Sequence, residues 1–337
     1  MLRVEESHDL SRLEATHGEW SDLCDRCPWT TPFQRPEWLI PWGASFQPQA
    51  PWILEIRERE RLVGFLPLFL QDVAGARTLS IMAFGVSDRL DLIAEPGRGE
   101  EAAGAVFAWL EEQRERWDVC DLDSLPLESP LLSCPLPLGW REEITPRAPC
   151  PVLSLPATVA GLEEVIPGRQ RYNLRQYRRR ALRAGTLEIA EADDRGVSKT
   201  AESWERDPRW KEMLVALAHL HRARWGGGSV RWAFHRQLIP GFLARGALAM
   251  YGLRLDGRLA AVHYGFYEQG TAYCYLHAFD AAWEKLSPGA LLLGGVIEAA
   301  VERGARAFDF GRGRETYKYH WGARDRESRR RQLRPDR

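Results

Sequence analysis

Fifteen residues near the C-terminal end, Phe308-Asp-Phe-Gly-Arg-Gly-Arg-Glu-Thr-Tyr-Lys-Tyr-His-Trp-Gly322, bring together side chains that move protons and hold anions. A short β run ends in the carboxylate Asp309. Gly311 and Gly313 free the backbone, and Tyr317, Lys318, His320 and Trp321 follow within one loop. Structural need rarely gathers so many polar and aromatic types, and loops at strand ends carry function disproportionately. Tyrosine, lysine and histidine can pass on a proton, whereas Lys318, Arg312 and Arg314 can meet an anion. The structural alternatives are that Asp309 caps the loop, Trp321 belongs to the core and the arginines are solvated.

A second candidate is Ser287-Pro288-Gly289-Ala290, where a strand gives way to a helix carrying Gly294-Gly295. Proline at the first helical position is a common helix start. The free N–H groups of such an end also favour phosphate or pyrophosphate. A third is the helix Arg169–Arg183, with arginine at 169, 171, 175, 178, 179, 180 and 183 and tyrosine at 172 and 177. Positions 171, 175, 178 and 179 share a face. That pattern suits RNA, or a solvated face paired with acidic residues elsewhere.

The elements that must position these residues fall into two halves. In the second, the pattern predicts a helix from about Thr158 to Ala184 broken at Pro167-Gly168, a strand at Leu187–Ala190, and helices at Arg209–Trp225 and Val230–Arg245. Strands at Leu248–Leu255, Leu259–Tyr267 and Thr271–Phe279 follow, the first two joined by Asp256-Gly257, a strong hairpin signal. A helix Pro288–Arg303 leads to a short strand Ala307–Phe310 and a basic tail expected to be disordered beyond Ala323.

The first half reads as a related plan. A helical stretch runs to about Cys27, Pro36 starts a helix, and Trp52–Arg57 pairs with Leu62–Leu70 in a hairpin. Strands are expected at Thr78–Phe84, Leu90–Ile93 and Val119–Leu122, with a helix over Glu100–Trp117. Seven prolines between Ser124 and Leu155 mark the connection, excluding a long helix or a central strand there. The boundaries are therefore 1–150, 151–323 and 324–337.

Composition bounds the function. The 337 residues are 45% hydrophobic and 28% charged, with a net charge of −1. That balance conceals an asymmetry. Residues 1–150 hold 14 Arg, no Lys and 26 Asp plus Glu (−12), and the remainder holds 32 basic and 21 acidic residues (+11). An anionic ligand is expected in the second half, the alternative being that the opposite charges simply pair. No apolar run is long enough to span a bilayer, and the polar, acidic start does not resemble a signal peptide. Six scattered cysteines form no disulfide framework, and Cys24-Asp-Arg-Cys27 lacks the partners a zinc site needs. A cytoplasmic location is expected, with no metal.

Phe308-Asp309-Phe310-Gly311-Arg312-Gly313, then Tyr317-Lys318 and Trp321-Gly322, preceded by Leu286-Ser287-Pro288-Gly289, resemble the GNAT-superfamily branch of CelD/BcsL-type (BioF-like) acetyltransferase domains, related in fold to the FemABX aminoacyltransferases. The resemblance covers about Arg169 to Trp321, opening with the arginine-rich helix. Thr31-Pro-Phe-Gln34 with Glu37-Trp38 resembles the divergent N-terminal GNAT-like domain that often accompanies it. It implies an α/β (α+β) fold of tandem GNAT-like domains, each a mixed, mainly antiparallel twisted sheet flanked by helices.

The implied activity is acyl transfer, with acyl-CoA in a V-shaped gap between splayed strands. Thr271–Phe279, with Tyr275 and His277, would pair with pantetheine. Glu284–Gly289, with Ser287 and Gly289, would meet the pyrophosphate, and Ala307–Phe310 would splay away. Tyr317 is the implied acid, and Lys318 beside it would hold a phosphate or depress the tyrosine. His263 could serve as base, or be an ordinary hydrogen-bonded strand histidine. Asp309 could orient Lys318 or Arg312, or bind the acceptor amine; Arg312 could contact an anion. Phe33, Gln34 and Trp38 would contribute to the acceptor cleft. The usual Gln/Arg-x-x-Gly-x-Gly/Ala signature is replaced by Trp283-Glu-Lys-Leu-Ser-Pro-Gly289. Three functions thus stand open: transfer of an acetyl or other acyl group from CoA to an amine of a small molecule or polysaccharide precursor, transfer from aminoacyl-tRNA, or a non-catalytic accessory role in an exopolysaccharide or cellulose system.

Overall fold

The computed structural model describes residues 2–192, 207–226 and 230–336. By its contacts the chain forms two compact units, residues 1–150 with 326–337, and residues 151–325. Among the described residues no helix is long and apolar enough to cross a membrane.

The first unit is built on β1 (Arg3–Ser7), β2 (Ala50–Glu58), β3 (Arg61–Val73), β4 (Ala76–Ile81), β5 (Ile93–Ala94), β6 (Val119–Pro126) and β7 (Trp140–Pro146). β2 and β3 form the expected hairpin, closed where Glu58 faces Arg61. The helix Gly99–Glu112 crosses between β4 and β6, which consequently pair in parallel, and it buries Val106, Phe107 and Leu110. Two expectations are corrected. The first residues are not helical throughout, because Arg3–Ser7 pairs antiparallel with β2 before the helices Ser11–Ala15 and His17–Arg26 begin. Leu90–Ile93 contributes only β5, a two-residue strand paired with β3.

The second unit is a sheet of β8 (Cys150–Ser154), β9 (Leu187–Glu191), β10 (Leu248–Leu255), β11 (Arg258–Glu268), β12 (Thr271–Phe279), β13 (Ala307–Asp309) and β14 (Arg324–Arg326), in the order β14-β8-β13-β12-β11-β10-β9. The proline-rich connection therefore contains strands: β7 on an edge of the first sheet, β8 one place in from an edge of the second. Helices Gly168–Ala184, Pro208–Trp225, Trp232–Ala244 and Pro288–Glu302 flank this sheet. Leu292, Val296, Ile297, Phe308 and Trp321 lie at the centre of its core.

Two local features set the site. β12 and β13 pair in parallel through only three residue pairs, ending at Tyr273 and Asp309. β12 runs on to Phe279, while the Phe310 N–H donates to Pro151 O of β8, 3.0 Å away. The two strands therefore part company, as the resemblance implied. On its other side β12 carries a bulge against β11, where Tyr264 faces Leu276 and Gly265 faces Cys274. The extra residue is Tyr275.

The C-terminal residues are not a disordered tail. Ser328–Pro335 forms β15, inserted between β6 and β7 of the first sheet. Arg329, Arg330 and Arg331 are neutralised there by carboxylates. Arg330 makes two hydrogen bonds to the Asp121 carboxylate at 2.7 and 2.6 Å, and the buried Arg331 donates to Glu142 and to the carbonyls of Leu131 and Cys134.

Candidate active site

A cavity of about 290 Å³ lies where β12 leaves β13. His277 and Phe279 of β12 form one wall, and Ser287, Gly289 and Ala290 at the start of the helix Pro288–Glu302 form the next. Tyr317, His320 and Trp321 come from the loop after β13. Gln170 and Tyr177 come from the arginine-rich helix, and Arg224 and Trp225 from the end of Pro208–Trp225.

The helix start leaves backbone N–H groups without helix acceptors. Ser287 adopts a left-handed conformation (φ 54°), Pro288 brings no N–H, and the first intrahelical bond runs from Leu291 N–H to Ser287 O at 3.1 Å. The N–H groups of Gly289 and Ala290 precede that bond and so have no acceptor within the helix. Gly289 is required by close packing: a Cβ there would stand 2.9 Å from the Phe279 ring and 3.3 Å from His277 Nε2. Arg224 adds positive charge, its guanidinium 4.6 Å from the centre of the Phe279 ring and 4.9 Å from that of Trp225. Among the described residues it forms no ion pair.

His277 is held by one bond. Its Nε2 lies 3.1 Å from Gly289 O, and because a carbonyl only accepts, Nε2 carries the proton. Nδ1 is then an unprotonated acceptor, buried and, among the described residues, without a hydrogen-bond partner. Burial pushes the His277 pKa down to about 4, Gly289 opposing and Arg224 reinforcing that shift, so the ring is neutral at pH 7. Tyr317 is 41% exposed. Burial of its hydroxyl, with Cys274 and Glu315 nearby, raises its pKa, so it stays protonated.

Other sequence candidates are placed elsewhere. His263 faces His277 across the strand pair, with ring centres 5.8 Å apart, but it is buried beside Cys274 and absent from the cavity wall. Burial and His277 hold its pKa well below 6.5. Tyr275 packs against His235, Tyr264 and Phe266 instead of sharing the cavity with His277. The bulge breaks the two-residue alternation that would put them on one face.

Lys318 has a structural post. Nζ donates to the carbonyls of Gly311 (2.8 Å), Arg312 (2.8 Å) and Gly313 (3.3 Å) and pairs with Glu315 at 2.9 Å. An ammonium has three protons, so none is spare for a phosphate. Nor is Tyr317 depressed by it. Asp309 is buried and accepts the Gly311 N–H at 2.8 Å, the capping alternative. Arg312 contributes its carbonyl to Lys318 and does not line the cavity, and Arg314 pairs with Asp325.

Phe33, Gln34 and Trp38 are interior residues of the first unit. Phe33 and Trp38 meet edge to face at 4.9 Å, Gln34 bonds to Thr31 and to Asp91 O, and Trp38 Nε1 donates to Ser87. Gln34 thereby caps the turn before the Pro36 helix. Cys24 and Cys27 are buried, and burial raises the Cys27 thiol.

Arg224, Gln170 and Phe279 were not singled out by the sequence. Gln170 had one signal, an uncharged side chain in an arginine-rich helix, and it is buried. Arg224 stands in His221-Arg-Ala-Arg-Trp225, whose meaning depends on a strand about fifty residues further on.

A sheet opened between two parallel strands, with free N–H groups at a helix start and proton-bearing side chains along the opening, is an arrangement that suits acyl transfer. Residues 168–319, within the second unit, match the family model described as acetyltransferase (GNAT) domain. Over almost its whole length the chain is similar in fold to the crystal structure of FemX (12% identity, TM-score 0.67, covering 97% of this chain and 96% of that one). It is also similar to a tandem GNAT protein from the clavulanic acid biosynthesis pathway (17%, TM-score 0.51, 99% of each). A third is the C-terminal domain of a provisionally assigned lysylphosphatidylglycerol synthetase from Agrobacterium fabrum (14%, TM-score 0.60, 96% and 92%). No curated protein matches the chain. The expected architecture of tandem GNAT-like sheets flanked by helices is the one observed.

Proposed function

We propose that the second unit transfers an acetyl or other acyl group from acyl-CoA to the amine of a small molecule or polysaccharide precursor, as in the CelD/BcsL-type branch, in the cytoplasm. The observation that carries this is the parting of β12 from β13 above the helix start at Pro288, with His277 and Tyr317 on the cavity wall. The residues fit the donor. Beyond Tyr273 the β12 backbone has no β13 partner and can pair with an extended amide chain, and Gly289, Ala290 and Arg224 suit a pyrophosphate.

When bound, acyl-CoA supplies an activated thioester carbonyl. The chain supplies positioning and two proton positions. His277 Nδ1 takes the proton of the attacking amine as the C–N bond forms, when that nitrogen turns strongly acidic; the Gly289 carbonyl fixes the tautomer, and because Nδ1 is enclosed before ligands enter, the step requires the ring to open toward the cavity. Tyr317 gives its hydroxyl proton to the departing sulfur as the C–S bond breaks. The cavity walls Phe279, Trp225 and Trp321 limit water, the competing nucleophile.

The test is release of free CoA thiol from acetyl-CoA in the presence of an amine library. Amine-dependent release that falls at least about 100-fold in Tyr317→Phe supports the reading. Amine-independent release, or none with any acyl-CoA, contradicts it.

A further inference from the structure

We infer that the arginine-rich helix Gly168–Ala184 is a docking surface for an anionic phospholipid membrane. Its inner side belongs to the protein: Gln170 and Ala181 are buried, and Tyr177 reaches the cavity. The outer side carries two neighbouring rows at three- and four-residue spacing, Arg171-Arg175-Arg178-Leu182 and Tyr172-Gln176-Arg179-Arg183. Arg175, Arg178, Arg179 and Arg183 are exposed, as is Arg169, and among the described residues none of the five forms an ion pair. Arg171 is occupied with the Ile166 carbonyl, and Arg180 lies over the Tyr177 ring at 5.1 Å. These five exposed guanidiniums, of which only Arg178 senses a nearby carboxylate, Glu298, among the described residues, extend over about 21 Å of helix and form a field that an extended anionic surface neutralises.

Two side chains separate a membrane from a nucleic acid. Leu182 is 54% exposed and Tyr172 is 56% exposed, at opposite ends of the two basic rows and about 15 Å apart along the axis. An aliphatic leucine amid arginines gains nothing from RNA phosphates or bases. At a bilayer interface both leucine and tyrosine are buried among headgroups and acyl chains while guanidiniums meet phosphates. Single-stranded RNA binding uses a groove with several stacking rings, whereas this convex face offers Tyr172 as its one aromatic side chain. Docking would hold the cavity about one helix diameter from the lipid surface.

The experiment is co-sedimentation of the full chain with vesicles of phosphatidylcholine alone and of phosphatidylcholine with phosphatidylglycerol, at low and high salt, with a mixed-sequence single-stranded RNA as rival ligand. The expected result is binding confined to the phosphatidylglycerol vesicles and weakened by salt. Arg175→Glu/Arg178→Glu/Arg179→Glu should lower it at least about 100-fold. Leu182→Asp should lower it several-fold and leave RNA retention unchanged. Since all four positions are exposed, thermal unfolding should match the wild type, and Arg175→Lys/Arg178→Lys/Arg179→Lys should restore most binding. Equal binding to neutral vesicles, no loss in the glutamate variant, or tighter binding to RNA than to anionic vesicles would overturn the inference.

Discussion

His277 donates its Nε2–H to the carbonyl of Gly289 across 3.1 Å, joining the middle of the parted strand to the first turn of the helix that faces it. That bond decides which ring nitrogen is free. It also ties the His277 ring to the helix start at Pro288, so a change at either end disturbs both.

His277→Gln should lower turnover with acyl-CoA at least about 100-fold while leaving donor affinity within a few-fold, because the acceptor nitrogen is lost and the wall remains. Steady-state kinetics in kcat and KM separate the two effects. A proportionate rise in KM at constant kcat would return His277 to a donor-binding role.

Gly289→Ala places a methyl group against Phe279 and His277. The helix start must shift, and donor affinity should fall about 10-fold or more, with global stability reduced by about 1–3 kcal/mol. Calorimetric titration with CoA and thermal unfolding read the two.

Lys318→Met should act on folding, leaving three carbonyls and the Glu315 carboxylate without their shared cation. A loss of roughly 1–3 kcal/mol is expected from the carbonyls left unsatisfied, since Glu315 itself is largely exposed. Denaturant unfolding of the full chain checks this. A variant of unchanged stability but lost donor binding would restore the phosphate-contact role expected from sequence.

The two units should respond oppositely to acid. In the second, burial depresses His277 to about 4 and His235 to about 3 from 6.5. The unfolded chain binds those protons first, so stability is full above pH 6.5 and is lost as pH falls toward 4. In the first, burial raises Asp91 to about 7 from 3.8, against hydrogen bonds from Ser129 and Leu92. The unfolded chain loses that proton first, so Asp91 costs stability as pH rises from 3.8 to 7. Hydrogen exchange at pH 5 and pH 7 should show protection falling in β10–β12 on acidification and holding or rising around Asp91.

The legibility of the sequence followed the range of the determining interaction. The β2–β3 and β10–β11 hairpins, the helix break at Pro167, the helix start at Pro288 and the order of the second unit are written in local patterns. β15 was not, because Arg330 and Arg331 look solvated until Asp121 and Glu142, about two hundred residues earlier, supply their charge partners. The same reason hid β1, whose Arg3-Val-Glu-Glu-Ser7 carries one apolar residue and depends on β2 for pairing. Ser287, Gly289, His277 and Tyr317, singled out from spacing and resemblance, line one cavity. Tyr275 and Lys318 were misassigned: a one-residue bulge turned the first away, and backbone carbonyls that no residue type announces captured the second.

The most direct measurement is titration of acetyl-CoA into the full chain and into Arg224→Ala, followed by heat and by the thermal midpoint. A ligand that binds only the folded state stabilises it by about 2.7 kcal/mol at one hundred times Kd. Saturable binding at one site, a raised midpoint and at least about tenfold weakening in Arg224→Ala is the result expected if the cavity beneath β12 takes acyl-CoA. No heat and no shift at millimolar acetyl-CoA, or binding indifferent to Arg224, would contradict it.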